Sequence, residues 1–304
     1  MLLEVKDIRK SYGTTEILHG ISFSVQSGRA MGFLGRNGAG KSTTIRCMMD
    51  VFRPNSGEFL LDGKQFKTED YRIGYLPEER GMYSKNKVLE QLVYFARLRG
   101  GSKEESTKSA KEWISFFELD EYANKPLETL SKGNQQKIQI AQAFVNDPDI
   151  LILDEPFSGL DPVNAQIFKD VISEYVSRGK LLIFSSHQMS YVEEVCDDIC
   201  LIHQGNILLT GSLDDIKRDM GEGKLLLETE NMDSQAITEM LCAAFPDMEC
   251  ELYDDALILD TKGKYNQSQL LKFILDKSLN IVRFGMYQPS LNDIFISLAG
   301  GDTK

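Results

Sequence analysis

The segment GRNGAGKST, residues 35–43, constrains what this chain can fold into more than any other stretch. It fits the spacing G-x-x-x-x-G-K-[ST], with Gly35, Gly40, Lys41 and Ser42 at the fixed places. Glycines let successive backbone N–H groups turn inward as an anion nest, and a following helix aims its positive end at the same point. Such a loop needs an apolar strand before it and a helix after it. The apolar run AMGFL precedes it at residues 30–34, and a helical pattern follows over residues 43–50. In that setting a Gly-rich turn becomes a phosphate cradle. Lys41 reaches the β- and γ-phosphates of a nucleoside triphosphate, and the Ser42 hydroxyl ligates Mg²⁺.

The segment LILDEP, residues 151–156, supplies complementary chemistry. Residues 150–153 form an unbroken apolar run, as strands buried on both faces do. Asp154 at its end is placed to hold Mg²⁺, and Glu155 to orient or deprotonate an attacking water. An acid pair before a proline also caps helices. The upstream phosphate loop favours the nucleotide reading over that one.

Strands and helices alternate along the first two thirds of the chain. Apolar runs recur at residues 181–184, and the stretches VLEQLVYFARLR, SAKEWISFFELD and LSKGNQQKIQ read as helices within residues 87–145. Asp62-Gly63 and Gly205-Asn206 mark hairpin turns. The pattern predicts an α/β fold with a mostly parallel, helix-covered sheet. Residues 211–223 read as a linker with a short helix. Beyond them the order is βαββαβ plus a last helix from Pro289, a split-βαβ pattern with no chemical motif.

The net charge is −12. Residues 211–304 carry 17 acids against 9 bases, which puts −8 of that charge in the tail and marks a boundary. An acidic chain repels phosphate backbones, so no nucleic acid is expected as partner. The five cysteines, Cys47, Cys196, Cys200, Cys242 and Cys250, are odd in number and scattered, as reduced thiols are. Cys196 and Cys200, four apart, are placed to share a helix face; without a third ligand nearby they read as buried thiols. No window reaches about 18 uninterrupted apolar residues, and the N-terminus lacks a secretory pattern. The expectation is a cytoplasmic protein, peripheral at the inner face of the cell membrane only through a partner.

The ordered set GRNGAGKST, LSKGNQQK, LILDEPFSGLDP and SSH resembles the ATP-binding subunits of ABC transporters, over roughly residues 2–210. The resemblance implies a P-loop NTPase of the ABC type, with an antiparallel β subdomain and a helical subdomain, that hydrolyses ATP with Mg²⁺. It implies nucleotide contacts from the whole loop, Gly35, Asn37, Gly38, Ala39, Gly40, Lys41, Ser42 and Thr43. It places Tyr12 of KSYG against the adenine, although an ordinary half-buried tyrosine would look the same. It places His187, after LLIFSS, on the γ-phosphate, and Asp161 in a loop that crosses a dimer interface. Leu130 to Asn134, LSKGN, sits where the family has LSGGQ. Ser131, Gly133 and Asn134 then face the γ-phosphate of a second ATPase subunit, identical or related, so that two chains share each site. Lys132 either adds a cation there or points to solvent.

This sequence departs from the family pattern at Lys132, at Asn134, and at Glu78 in GYLPEERG, where the family places a glutamine. A carboxylate at residue 78 still binds Mg²⁺ or water but adds negative charge. Glu79 and Arg80 read equally as surface residues touching a partner. His19 and His203 read as structural. An integral-membrane permease, encoded elsewhere, is expected to grip the Glu78 loop and residues 87–145. The tail, closing on PSLNDIF, resembles the small C-terminal domain of sodium-exporter-like ATP-binding subunits and implies an exporter. The expected domains are residues 1–215, the ATPase, and 216–304, a small ferredoxin-like α+β accessory domain. Three rivals stand beside this reading: a soluble ABC ATPase acting on a partner such as the ribosome, a small-molecule P-loop kinase, and a subunit that binds ATP without hydrolysing it. A kinase has no use for LSKGN, SGLDP and SSH, and one phosphate loop with net −12 fits a ribosomal factor poorly.

Overall fold

The computed structural model describes residues 1–78, 81–230 and 233–299. Its elements run β1 (Leu2–Tyr12), β2 (Thr15–Gln26), β3 (Ala30–Leu34), α1 (Lys41–Met48), β4 (Ser56–Leu61), β5 (Lys64–Gln65), β6 (Ile73–Leu76), α2 (Val88–Leu98), α3 (Lys103–Phe116), α4 (Lys132–Phe144), β7 (Ile150–Asp154), α5 (Pro162–Ser177), β8 (Leu181–Ser186), α6 (Met189–Val195), β9 (Asp198–His203) and β10 (Asn206–Ser212). Helix α7 (Leu213–Met220) follows, then β11 (Lys224–Thr229), α8 (Ser234–Ala244), β12 (Glu249–Tyr253), β13 (Ala256–Asp260), α9 (Gln267–Asp276), β14 (Ile281–Met286) and α10 (Leu291–Ala299). The chain divides into two compact units, Met1–Leu213 and Asp214–Lys304.

In the first unit a six-stranded sheet has the order β10-β9-β3-β8-β7-β6, parallel except for the antiparallel edge strand β10. Strands β3, β7 and β8 are buried at every position, which is why they read as apolar runs. A second, antiparallel sheet has the order β2-β1-β4-β5. There Leu3, Val5, Phe23 and Phe59 alternate with polar residues and pack into one core with Phe33, Ile45, Ile152 and Ile183. Phe23 stacks on Phe33 at 5.2 Å. Asp62 and Gly63 both have positive φ, as a two-residue hairpin turn requires. In the β9–β10 hairpin the turn falls on Gln204 and Gly205, and Asn206 already pairs with His203. The turn therefore lies one residue earlier than the Gly-Asn dipeptide suggested. Cys196 closes α6 and Cys200 lies in β9, so the two share no helix face; both are buried, and burial pushes both thiols up.

The helical stretch forms α2, α3 and α4. Helix α3 opens on a capping box in which Ser102 and Glu105 exchange hydrogen bonds. Gly74 lets α4 lie close to β6. A Cβ there would sit 2.1 Å from the Ala143 carbonyl oxygen and 2.7 Å from Leu151 Cδ1. The first neighbour is backbone and cannot swing aside. Gly74→Ala is therefore expected to destabilise by about 1–3 kcal/mol or more through overpacking. Thermal unfolding checks it: a midpoint within a degree of the parent would mean that α4 can move away freely.

The second unit has the sheet order β12-β13-β11-β14, every pairing antiparallel. With the order βαββαβ this is a ferredoxin-like sheet. Leu225, Leu227, Leu257 and Leu259 alternate along the central strands and bury against Ile237 and Leu241 of α8 and Leu270 and Ile274 of α9. Tyr253 donates a 2.7 Å hydrogen bond to Asp293, which also caps back onto Ser290 at the start of α10.

Candidate functional site

Parallel pairing brings the predicted site residues together. Leu34, the last residue before the phosphate loop, pairs with Ser186. Ser185 pairs with Asp154, and Leu153 with Leu76, two residues before Glu78. The carboxyl ends of β3, β8, β7 and β6 thus form one row, the place where open α/β sheets bind ligands. A cleft of about 460 Å³ opens there, lined by Tyr12, Asn37, Gly38, Gly40, Lys41, Ser42, Thr43, Glu78, Asp154 and Glu155, with Ile17 and Arg36. A cleft of similar size elsewhere, about 450 Å³, is lined by Trp113, Phe116 and Phe144 and contains none of the phosphate-loop residues.

The loop has the geometry its glycines require. Gly40 has φ +114°, and a Cβ there would lie 2.7 Å from Leu18 Cδ2. Gly35 and Ala39 are buried behind the lining. Lys41 is buried as well, and its Nζ donates to the Gly35 carbonyl at 2.7 Å. The first residues of α1 therefore present N–H groups and a cation to one anion site.

The acids stand opposite. Asp154 is buried and accepts hydrogen bonds from Ser42 Oγ at 3.1 Å and from Ser185 Oγ. Glu155 is buried with φ +52°, the left-handed region that a residue with a side chain rarely adopts. Its N–H bonds the Ser185 carbonyl at 3.1 Å, which helps hold the strained turn. His187 Nδ1 lies 2.8 Å from Glu155 Oε1, an ion-pair distance, yet no aligned hydrogen bond reaches that oxygen. Ser186 Oγ lies 3.5 Å from Oε2. A buried carboxylate oxygen aimed into a cleft without a hydrogen-bond donor is the acceptor a water or hydroxyl would use.

The oxygen donors Ser42, Asp154 and Glu78 suit a hard cation such as Mg²⁺. Among the described residues no cluster of three or more His, Cys, Asp or Glu forms a metal cage.

Ser131, Gly133, Asn134 and Asp161 do not line this cleft. Ser131 is the N-cap of α4 and accepts from the Asn134 N–H at 3.3 Å; Asp161 is the N-cap of α5 and accepts from the Asn164 N–H at 3.0 Å. The Asn164 hydrogen bonds hold the Asp161 carboxyl below the usual range. Lys132 is exposed at the tip of α4, where a cation opposes the helix dipole. Glu79 and Arg80 lie outside the described residues. Sequence reading assigned no role to Ser185, Ser186 or Gln136. The two serines end an otherwise apolar strand, which is itself a signal. The Gln136 bond to the Pro156 carbonyl, 3.2 Å, links α4 to the acid loop and leaves no local trace in the sequence.

Residues 18–158 match the ABC transporter family model, and residues 211–299 match the DrrA1-3-like ATP-binding protein C-terminal domain. An uncharacterised ABC transporter ATP-binding protein of Bacillus subtilis, YhaQ, is 35% identical over 300 residues, covering 98% of this chain and 99% of that one. The chain belongs to the ABC transporter ATP-binding proteins. The family hydrolyses ATP, and this cassette is an ATPase of that kind. The bacitracin transport ATP-binding protein BcrA of Bacillus licheniformis is 30% identical over 307 residues, with 99% of this chain and 98% of that one covered. A solved ATP-binding subunit of an ABC transporter superposes with a TM-score of 0.67 at 32% identity, covering 73% of this cassette chain and 94% of its own. Among the described residues of the cassette and its tail, no helix is long and apolar enough to cross a membrane.

Proposed function

We propose that this chain is the motor subunit of an ABC exporter, acting as a head-to-tail pair that closes over two ATP molecules and drives a separate membrane permease. One observation carries the reading. The helix tip at Lys41 lines the cleft that holds Glu155, while the tip at Ser131 does not. A second copy brings its Ser131, Gly133 and Asn134 to the exposed side of the nucleotide, with Asp161 at the joint.

Within that site Tyr12 lies against the adenine, and Asn37, Gly38, Ala39, Gly40, Lys41 and Thr43 hold the phosphates. Ser42, Asp154 and Glu78 would hold Mg²⁺, which neutralises charge on the phosphate oxygens. Glu155 positions the attacking water and takes its proton, and His187 spans Glu155 and the γ-phosphate. Closure excludes water and strengthens these interactions. The permease docks near Glu78 and α2–α3, where Tyr83, Tyr94 and Leu98 are exposed, and holds the chain at the inner face of the membrane. A role in transport is supported by the full-length likeness to a protein named for bacitracin transport, and the export direction by the likeness, 31% identity over 214 residues, to a Burkholderia lata protein named for Nod factor export.

Turnover per chain is expected to rise with protein concentration until pairing saturates. An ATPase assay on the purified chain over a wide dilution series checks this. A specific activity that is flat and high down to nanomolar chain would mean that one copy suffices.

A further inference from the structure

The aromatic cavity of about 450 Å³ lies within the first unit and shares no residue with the nucleotide cleft. It opens between α3, the end of α4 and α5, and Trp113, Phe116, Phe144 and Tyr175 line it. Phe144 and Tyr175 are buried, Trp113 is half-buried, and Phe116 is exposed. Trp113 lies 5.1 Å from Phe144 at 44°, and Phe144 lies 5.6 Å from Tyr175 at 81°, so the rings are inclined to one another rather than stacked flat. Rings that only filled a core would close on one another; these leave room for a small molecule. The Tyr175 hydroxyl donates to the Pro148 carbonyl at 3.1 Å, just before β7. The cavity therefore sits at the amino end of β7, whereas Asp154 and Glu155 stand at its carboxyl end.

We propose that this cavity binds a small organic cation whose charge sits on an alkylated nitrogen beside an apolar body. Aromatic rings carry negative faces and attract such a group, and a quaternary nitrogen has no N–H left to satisfy against a wall of carbon. The charges of the lining act in the same sense. Arg178, the base in the lining, is taken up by Asp147 at 2.7 Å. That leaves two carboxylates, Glu112 on α3 and Glu174 on α5, one from each flanking helix. Glu112 meets Lys108 at 3.9 Å, a contact open to water and worth little. Glu174 has no ion pair among the described residues. An anion would meet those two carboxylates and the ring faces together, and a neutral molecule would leave both charges unanswered. The cation satisfies rings and acids at once, and it bridges α3 to α5.

Trp113 is the one tryptophan of the chain, so its emission reports on this cavity directly. The test titrates the full chain, without nucleotide and at constant ionic strength, with three probes of like shape: phenyltrimethylammonium, the neutral 2-phenyl-2-propanol and the anion benzenesulfonate. The cation is expected to change the emission saturably, with a dissociation constant of about millimolar or tighter, as suits so small a probe. It is expected to bind about tenfold more tightly than the alcohol, and the sulfonate is expected not to bind. Glu174→Gln should weaken the cation by about two- to fivefold and leave the alcohol unchanged. Alcohol or sulfonate binding as tightly as the cation, or emission that never saturates with the cation, would overturn the proposal. So would a folded Glu174→Gln variant that binds cation and alcohol as the parent does. The three-probe comparison on the parent decides the matter even if the variant misfolds. No ATP enters the measurement, so its failure leaves the ATPase reading untouched.

Discussion

Glu155→Gln is expected to lower ATP turnover by about 10²- to 10⁴-fold, the range a positioned general base contributes, while ATP binding persists. The variant keeps the shape of a side chain that is buried, held at φ +52° and already near Ser186. What it removes is charge and proton affinity at Oε1, the oxygen beside His187 that no hydrogen bond satisfies. The phosphate loop, Lys41 and Tyr12 are untouched, so nucleotide affinity has no reason to fall. With hydrolysis stopped, the closed pair has no route to opening, and at high ATP the variant is expected to elute as a dimer while the parent elutes largely as a monomer. Phosphate release and light scattering read the two effects separately. Full turnover in the variant would remove Glu155 from the chemistry. Lost turnover without an ATP-held dimer would keep Glu155 and count against the shared site. An inactive parent would favour a subunit that binds ATP without cleaving it.

The contrast between what the sequence showed and what it hid has a physical pattern. Gly35, Gly40, Lys41 and Ser42 were legible because one continuous segment must supply the turn, the cation and the helix start. Asp154 and Glu155 were legible because a strand buried on both faces leaves an apolar run that ends abruptly in charge. The tail's ferredoxin-like order followed from element sequence alone, since Leu225 and Leu227 alternate in the strand and Leu270 and Ile274 recur at helical spacing. Contacts made by pairing between strands were not legible. Ser185 meets Asp154 only because β8 adds beside β7 in that register. Gln136 meets Pro156 only because Gly74 lets α4 come close to the sheet. The thiols behave the same way. Cys196 and Cys200, four apart, suggested one helix face, yet Cys196 closes α6 and Cys200 lies in β9.

The order of Ser131 and Lys41 along one chain says nothing about whether they serve the same nucleotide, and mixing two inactive variants decides it. Lys41→Ala removes the buried cation from the phosphate loop, where its loss is expected to abolish tight triphosphate binding. Gly133→Asp puts a negative charge at the tip of α4, where the helix dipole would otherwise meet phosphate; no atom lies within 4 Å of the Cβ it adds, so the fold should tolerate it. Each variant alone should be inactive. In a mixed head-to-tail pair, one site receives both lesions and the other receives neither, because the intact Lys41 and the intact Gly133 come from opposite chains. An equal mixture should therefore recover turnover, up to about a quarter of the parent's when chains pair at random and sites act independently. If each chain used its own Gly133 with its own Lys41, every site in every pairing would carry one lesion, and the mixture would stay as inactive as its components. Recovery thus requires the serine-and-glycine helix tip of one molecule to complete the phosphate cradle of another.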